Sequence, residues 1–168
     1  MTYLFSENDQ ARKNLKLVKY TPTTWQVSNN TAWSYVEGSR IYYTPQDINS
    51  TVMYEFYFAF SWEDAINNAD FKLEAGTTLA NITDYNTVTS NQPYHYSHGS
   101  HQHPGDAHIN DLVILRYALD SWSGEKIIQL SFKDRLDRNN RTRLHHTRHL
   151  NASAYDSFYN AFVMCYEI

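Results

Sequence analysis

The sequence predicts an all-β protein, a two-sheet antiparallel β-sandwich of jelly-roll-like topology with eight to ten strands. Three observations carry this. Residues 50–62 alternate without a break: Val52, Tyr54, Phe56, Phe58, Phe60 and Trp62 fall on one side, Thr51, Met53, Glu55, Tyr57, Ala59 and Ser61 on the other. A helix would scatter those aromatics around its circumference. The composition is the second: 14 Tyr, 8 Phe and 14 Thr favour strands, and 15 Asn and 14 Ser favour turns and caps. Third, the apolar runs are short, turn residues separate them, and none has a sustained helical period.

Taken in order, residues 1–11 are polar with an aromatic pair and read as an N-terminal arm, and residues 12–168 as a single β-sandwich domain. Residues 12–20 alternate, with Leu15 and Leu17 on one side and Val18 and Tyr20 on the other. Short strands follow around Trp25-Gln26-Val27, around Trp33 and Tyr35, and at Ile41-Tyr42-Tyr43, which Pro45 stops; Gly38-Ser39 is a turn. After residues 50–62, a single helical turn is expected over 63–68. Phe71 and Leu73 then share a face of a strand ended by Gly76. Residues 79–85 and 87–89 are weak strands. Residues 90–111, holding Pro93, Gly99, Pro104 and Gly105, form the longest irregular stretch, a length usually functional or disordered. Residues 111–120 are apolar on both faces and read as a central strand. Ser121-Trp122-Ser123-Gly124 reads as a hairpin-type turn, and residues 125–132 return with Ile128, Leu130 and Phe132 inward.

Size and charge exclude several classes. At 168 residues and 19.7 kDa the chain fits one domain with one core. One cysteine excludes a disulfide framework, and Cys165, inside an apolar strand, reads as a small buried hydrophobe. No apolar run approaches the roughly 18 residues of a membrane span, and the first ten residues have no basic start or signal-length apolar stretch. A soluble domain made in the cytosol is expected. A net charge of −4 and a pI near 6.0 argue against nucleic acid as partner. The charge is uneven: residues 133–148 carry six basic residues against Asp134 and Asp137, or +4, which leaves −8 for the rest. That segment reads as a solvated basic loop or as a docking patch for an acidic partner.

The closing residues, 157–168, are apolar on both faces, with Phe158, Phe162, Met164, Tyr166 and Ile168 against Tyr159, Ala161, Val163 and Cys165. A strand at a chain end frays unless it is tied into a sheet. Its second face needs cover from another sheet or a neighbouring subunit. With this closing strand and the aromatic-rich pattern, residues 50–168 resemble the trimeric jelly-roll domains of the tumour-necrosis-factor-like type, which tailed phages use in head decoration (cement) proteins and fibre tips. The Asn-, Thr- and Tyr-rich composition is also similar to that of phage virion proteins. The resemblance implies a virion structural protein rather than an enzyme, a homotrimer in contact with other virion proteins such as the major capsid protein, and localisation in the virion. The expected interface holds Phe158, Phe162, Met164 and Tyr166 with Arg141, Arg143 and Arg148.

Two histidine clusters bear on chemistry. His95, His98, His101, His103 and His108 lie within fourteen residues. His101 and His103, two apart, leave one face of extended backbone, and neutral imidazole ligates zinc or iron well. Asp106 could ligate too or orient a ring. The loop reads as a plain solvent-exposed polar stretch, as an intrachain zinc-like site from His98, His101, His103 and His108, or as a threefold site of His-x-His pairs. The resemblance implies iron for the last. His101-Gln102-His103 also matches the His-x-His of cupin metal sites, but cupins set their motifs on separate strands with a glutamate between, and no Glu occurs between Glu74 and Glu125. A metal-dependent cupin-like enzyme is therefore the weakest reading. His145, His146 and His149 sit among Arg141, Arg143 and Arg148, where cations favour neutral imidazole. Nucleophile elbows and phosphate-binding Gly-rich loops are missing from the sequence. A carbohydrate-binding jelly-roll module, stacking sugars on Trp122 and exposed Tyr, is the main alternative.

Overall fold

The structure is a computed structural model that describes residues 12–27, 32–62, 68–85, 94–97, 109–134, 142–147 and 157–168. Its strands form two antiparallel six-stranded sheets. The front sheet is built on β5 (Thr51–Trp62). Along one edge β5 pairs over its whole length with β9 (Ile109–Asp120). Its other edge is shared by β14 (Ala161–Glu167) and β11 (Thr142–Leu144). β1 (Lys13–Tyr20) pairs with β14, and β2 (Gln26–Val27) with β11. The back sheet is built on β6 (Asn68–Gly76) and β10 (Lys126–Asp134). β3 (Ser34–Tyr35) and β4 (Ile41–Tyr43) share the far edge of β10. β7 (Thr83–Asp84) and β8 (Tyr94–Ser97) share that of β6. β12 (His146–Thr147) and β13 (Ser157–Phe158) make a small ribbon.

The core lies where the period-2 pattern of β5 places it. Tyr54, Phe56 and Phe58 are buried against Leu115, Val163 and Cys165 of their own sheet and Phe71, Leu130 and Phe132 of the back sheet. Phe56 stacks on Phe58 at 5.0 Å, Phe58 meets Phe71 at 5.5 Å and Phe71 meets Phe132 at 6.1 Å. Aromatic pairs at such separations add to plain area burial. The Tyr54 hydroxyl donates to the Ser39 carbonyl, and the Ser39 hydroxyl accepts from the Leu130 amide, so the turn before β4 is bonded through the core. Gly38 makes that turn possible: its φ is +76° and a Cβ there would sit 2.5 Å from the Tyr20 ring.

Several expectations change. Fourteen strands occur among the described residues, because two- to four-residue bridging strands carry too few side chains to show a period. Residues 111–120 do not form a central strand: among the described residues β9 pairs with β5 alone, and Leu112 is 75% exposed. Residues 121–124 form no hairpin; they carry the chain from β9 in the front sheet to β10 in the back sheet. Trp122, expected at the surface, is buried against Tyr43. Within 79–85, Leu79–Asn81 is a 3-10 turn, with Asn81 bonded back to Thr78. Residues 94–97 of the expected irregular stretch are β8, with the His95 backbone opposite Asp70. The arm at 1–11, residues 63–67 of the helical turn expected at 63–68 and the strand at 87–89 lie outside the described residues, while Asn68, the expected last residue of that turn, begins β6.

The end of β14 is fixed by Glu167. Its carboxylate accepts from Asn14 Nδ2, the Tyr43 hydroxyl, the Gln46 and Asp47 amides and the Ser50 hydroxyl. Burial alone would push this carboxyl up, but the bonds from Gln46, Asn14, Asp47 and Ser50 bring it down to about 2. Glu167→Gln turns one acceptor into a donor among donors and should cost about 1–3 kcal/mol in urea unfolding at pH 7. Because the folded value lies below 4.5, this contribution is present above pH 4.5 and is lost as pH falls towards 2. The variant should therefore show a flatter stability curve than the parent across that window.

Candidate functional site: the outward face of the front sheet

β5 turns Tyr54, Phe56 and Phe58 inward, so Met53, Glu55 and Tyr57 must face out. Residues directly opposite on neighbouring antiparallel strands share a face. Register therefore adds Tyr166, Met164 and Phe162 of β14, Leu17 and Lys19 of β1, and Ala118, Arg116 and Ile114 of β9. This face is unusually apolar. Leu17 is 54% exposed, Ile114 51% and Leu112 75%, and Met53, Tyr57, Phe162 and Met164 are half-buried.

A charged cluster sits within it. The Glu55 side chain is fully buried. Its carboxylate accepts from the Tyr57 hydroxyl at 2.6 Å and from Arg116 Nε and the Tyr166 hydroxyl, both at 2.7 Å. Arg12 Nη2 stands 4.0 Å away, its guanidinium over the Tyr166 ring. Burial alone would raise this carboxyl; the bonds from Tyr57, Tyr166 and Arg116 outweigh it and hold it below the usual range. Tyr57 and Tyr166 are pushed up by burial and by that carboxylate. The Arg116 side chain stays 56% exposed.

Next to this face is an aromatic group. Leu144 is buried in the core, so Arg143 projects to the opposite side, and its guanidinium lies 4.9 Å from the Trp25 ring. Trp25 stacks on Phe158 at 6.4 Å and meets His146 edge-on at 5.1 Å. Trp25, Phe158 and Tyr159 are each about two-fifths exposed.

Of the residues expected at an interface, Phe162, Met164 and Tyr166 share the outward face, while Phe158 and Arg143 meet on Trp25 beside it. Tyr166 is covered by Arg12 of its own chain and only 7% exposed. Arg141 and Arg148 lie outside the described residues, as do His98, His101, His103 and His108 with Asp106 and His149. The zinc or iron reading of that loop thus rests on the sequence alone. Among the described residues no three His, Cys, Asp or Glu groups come together in a way that could hold a metal, and no helix is long and apolar enough to cross a membrane. A cleft of about 410 Å³ near Gly76, Asn81 and Tyr85 has Lys126 as its one charged lining residue among the described residues. Cys165 is buried in the core, its thiol pushed up by burial. The Glu55 cluster was missed in the sequence; a Glu inside an alternating apolar strand was its one signal. No protein-family model and no curated protein matches the chain.

His145 joins this region to the core. It sits between β11 and β12 at a φ of 64°, with its amide bonded to the Ala59 carbonyl. Its ring is fully buried among Tyr20, Phe56 and Phe58 at 5.2, 6.2 and 6.4 Å. Burial pushes it down to about 4, against the opposing pull of the Glu37 backbone and carboxylate. Between pH 6.5 and 4 the unfolded chain therefore binds a proton that the folded chain refuses. Folding should lose about 3 kcal/mol as pH falls across that window. His145→Phe keeps an aromatic ring in the cage and removes the charge; its denaturation midpoint should vary less than the parent's between pH 7 and pH 4.

Proposed function

We propose that the protein is a structural subunit of a tailed-phage virion, a head decoration (cement) or fibre protein that acts by assembly. It joins copies of itself, as a trimer of jelly-roll subunits, and docks on other virion proteins such as the major capsid protein. The supporting observation is the difference between the two outward faces. On the back sheet, Lys72 pairs with Glu74 at 2.9 Å, Glu74 accepts from Gln129 and Ser131, and Lys72 and Lys133 flank the Trp33 ring at 4.8 and 4.7 Å. Such a face is suited to water. The front face instead exposes Leu17, Leu112 and Ile114 around half-buried Met53, Phe162 and Met164. A contiguous apolar patch rimmed by polar groups marks an interaction surface. The all-β sandwich and the closing strand between β1 and β5 are consistent with this reading.

The carbohydrate-binding alternative has less support. Trp122 is buried, Trp25 is engaged by Phe158, His146 and Arg143, and Trp33 is flanked by two lysines, so three indoles that could stack on a sugar are already occupied. The assembly reading is tested by the mass in solution at micromolar concentration. Three copies of the 19.7 kDa chain should give about 59 kDa. A single 19.7 kDa species across that range would overturn the reading.

A further inference from the structure

Among the described residues, the Glu55 cluster is one negative charge short. It holds two guanidinium groups, Arg12 and Arg116, against a single carboxylate. That carboxylate already accepts from the Tyr57 and Tyr166 hydroxyls and Arg116 Nε. Arg116 commits Nε to Glu55 and leaves its side chain 56% exposed beside Ile114, Met53 and Met164. With the face open, water solvates the outer edge of that guanidinium. Once an apolar surface covers the face, the water is lost, and a cation without an acceptor costs far more than its apolar surroundings return. Whatever covers this face must bring an acceptor to Arg116, and the missing unit of charge makes it a carboxylate, which matches the planar guanidinium edge.

We propose that Arg116 is the charge anchor of this face and receives an Asp or Glu side chain from a second copy of the chain. This rests on the assembly reading above. The commitment to a second copy comes from charge. Without Arg12, Arg116 and Glu55 the chain retains 12 basic and 17 acidic residues, a net −5. The cluster is thus locally positive on a chain whose other residues are net acidic, although residues 133–148 carry +4. Two such clusters placed against each other would repel, so the contact is heterologous: the face of one copy meets a different, acidic surface of the next.

The test is sedimentation velocity of the full chain at roughly 50 and roughly 500 mM NaCl, which screens the pair strongly only at the higher salt. Arg116→Gln should weaken self-association at least about tenfold at low salt and flatten its salt dependence. Lys126→Gln, which removes a charge from β10 of the back sheet, should stay within about threefold of the parent. A thermal melt of each variant confirms folding. If Arg116→Gln does not fold, Arg116→Lys takes its place: it keeps the charge, loses the planar edge and should weaken association several-fold. Self-association of the folded variant with the parent's strength and salt dependence would overturn the anchor and leave the assembly reading standing. A parent that stays monomeric would overturn both.

Discussion

The alternation of β5 governs the molecule. One uninterrupted strand carries Tyr54, Phe56 and Phe58 into the core, and the same geometry sends Met53, Glu55 and Tyr57 to the other side. A one-residue slip would exchange the sets and bury Glu55 among phenylalanines, so the aromatic stripe fixes the register of β5 against β9 and β14. The outward face follows from that register. Leu17, Phe162, Met164 and Ile114 lie there because their strands pair with β5, directly or through β14, in the one register that packs the core.

The two edges of the front sheet differ in the same sense. β1 has lysines at 13, 16 and 19, a register shift between Lys13 and Lys16, and Asn14 at a φ of 48°. Lysines and bulges keep an edge from pairing with another chain. β9 runs twelve residues in unbroken register with β5 and carries Leu112 and Ile114 outward. Apolar exposure is thus concentrated on the outward face and towards β9. The Glu55 cluster lies between these apolar groups. A buried carboxylate contributes little net stability even when well bonded, and its clearer effect is to orient Arg116 and the two tyrosine hydroxyls. The four side chains come from β5, β9 and β14, so the three strands must be in register before the cluster can form.

Much of the fold was legible because it rests on periodicity. β5 and β10 each show period 2, and the strand around Phe71 and Leu73 ends at Gly76. What failed depended on which strands are neighbours. Residues 111–120 are apolar on both faces, the usual mark of a central strand, yet β9 lies beside β5 alone among the described residues, and its outward apolar side chains face away from the core. Trp122 looked like a turn residue, but its turn crosses between the sheets and tucks the indole under Tyr43. The interface residues Phe162 and Met164 were found because both faces of the closing strand are apolar. Glu55 was not found, because its partners lie 61 and 111 residues away in sequence. The histidine-rich loop, the most conspicuous chemical signal in the sequence, lies outside the described residues.

The central claim is that the outward face of the front sheet is covered by another molecule. Hydroxyl-radical footprinting of the full chain, read by mass spectrometry across a concentration series, tests it most directly, since Met53, Met164 and Tyr57 on that face all oxidise readily. The predicted result is that oxidation of these three falls as concentration rises, while that of Trp33 on the back sheet does not change. Equal oxidation of Met53, Met164 and Tyr57 at every concentration, or protection confined to the back sheet, would contradict the claim.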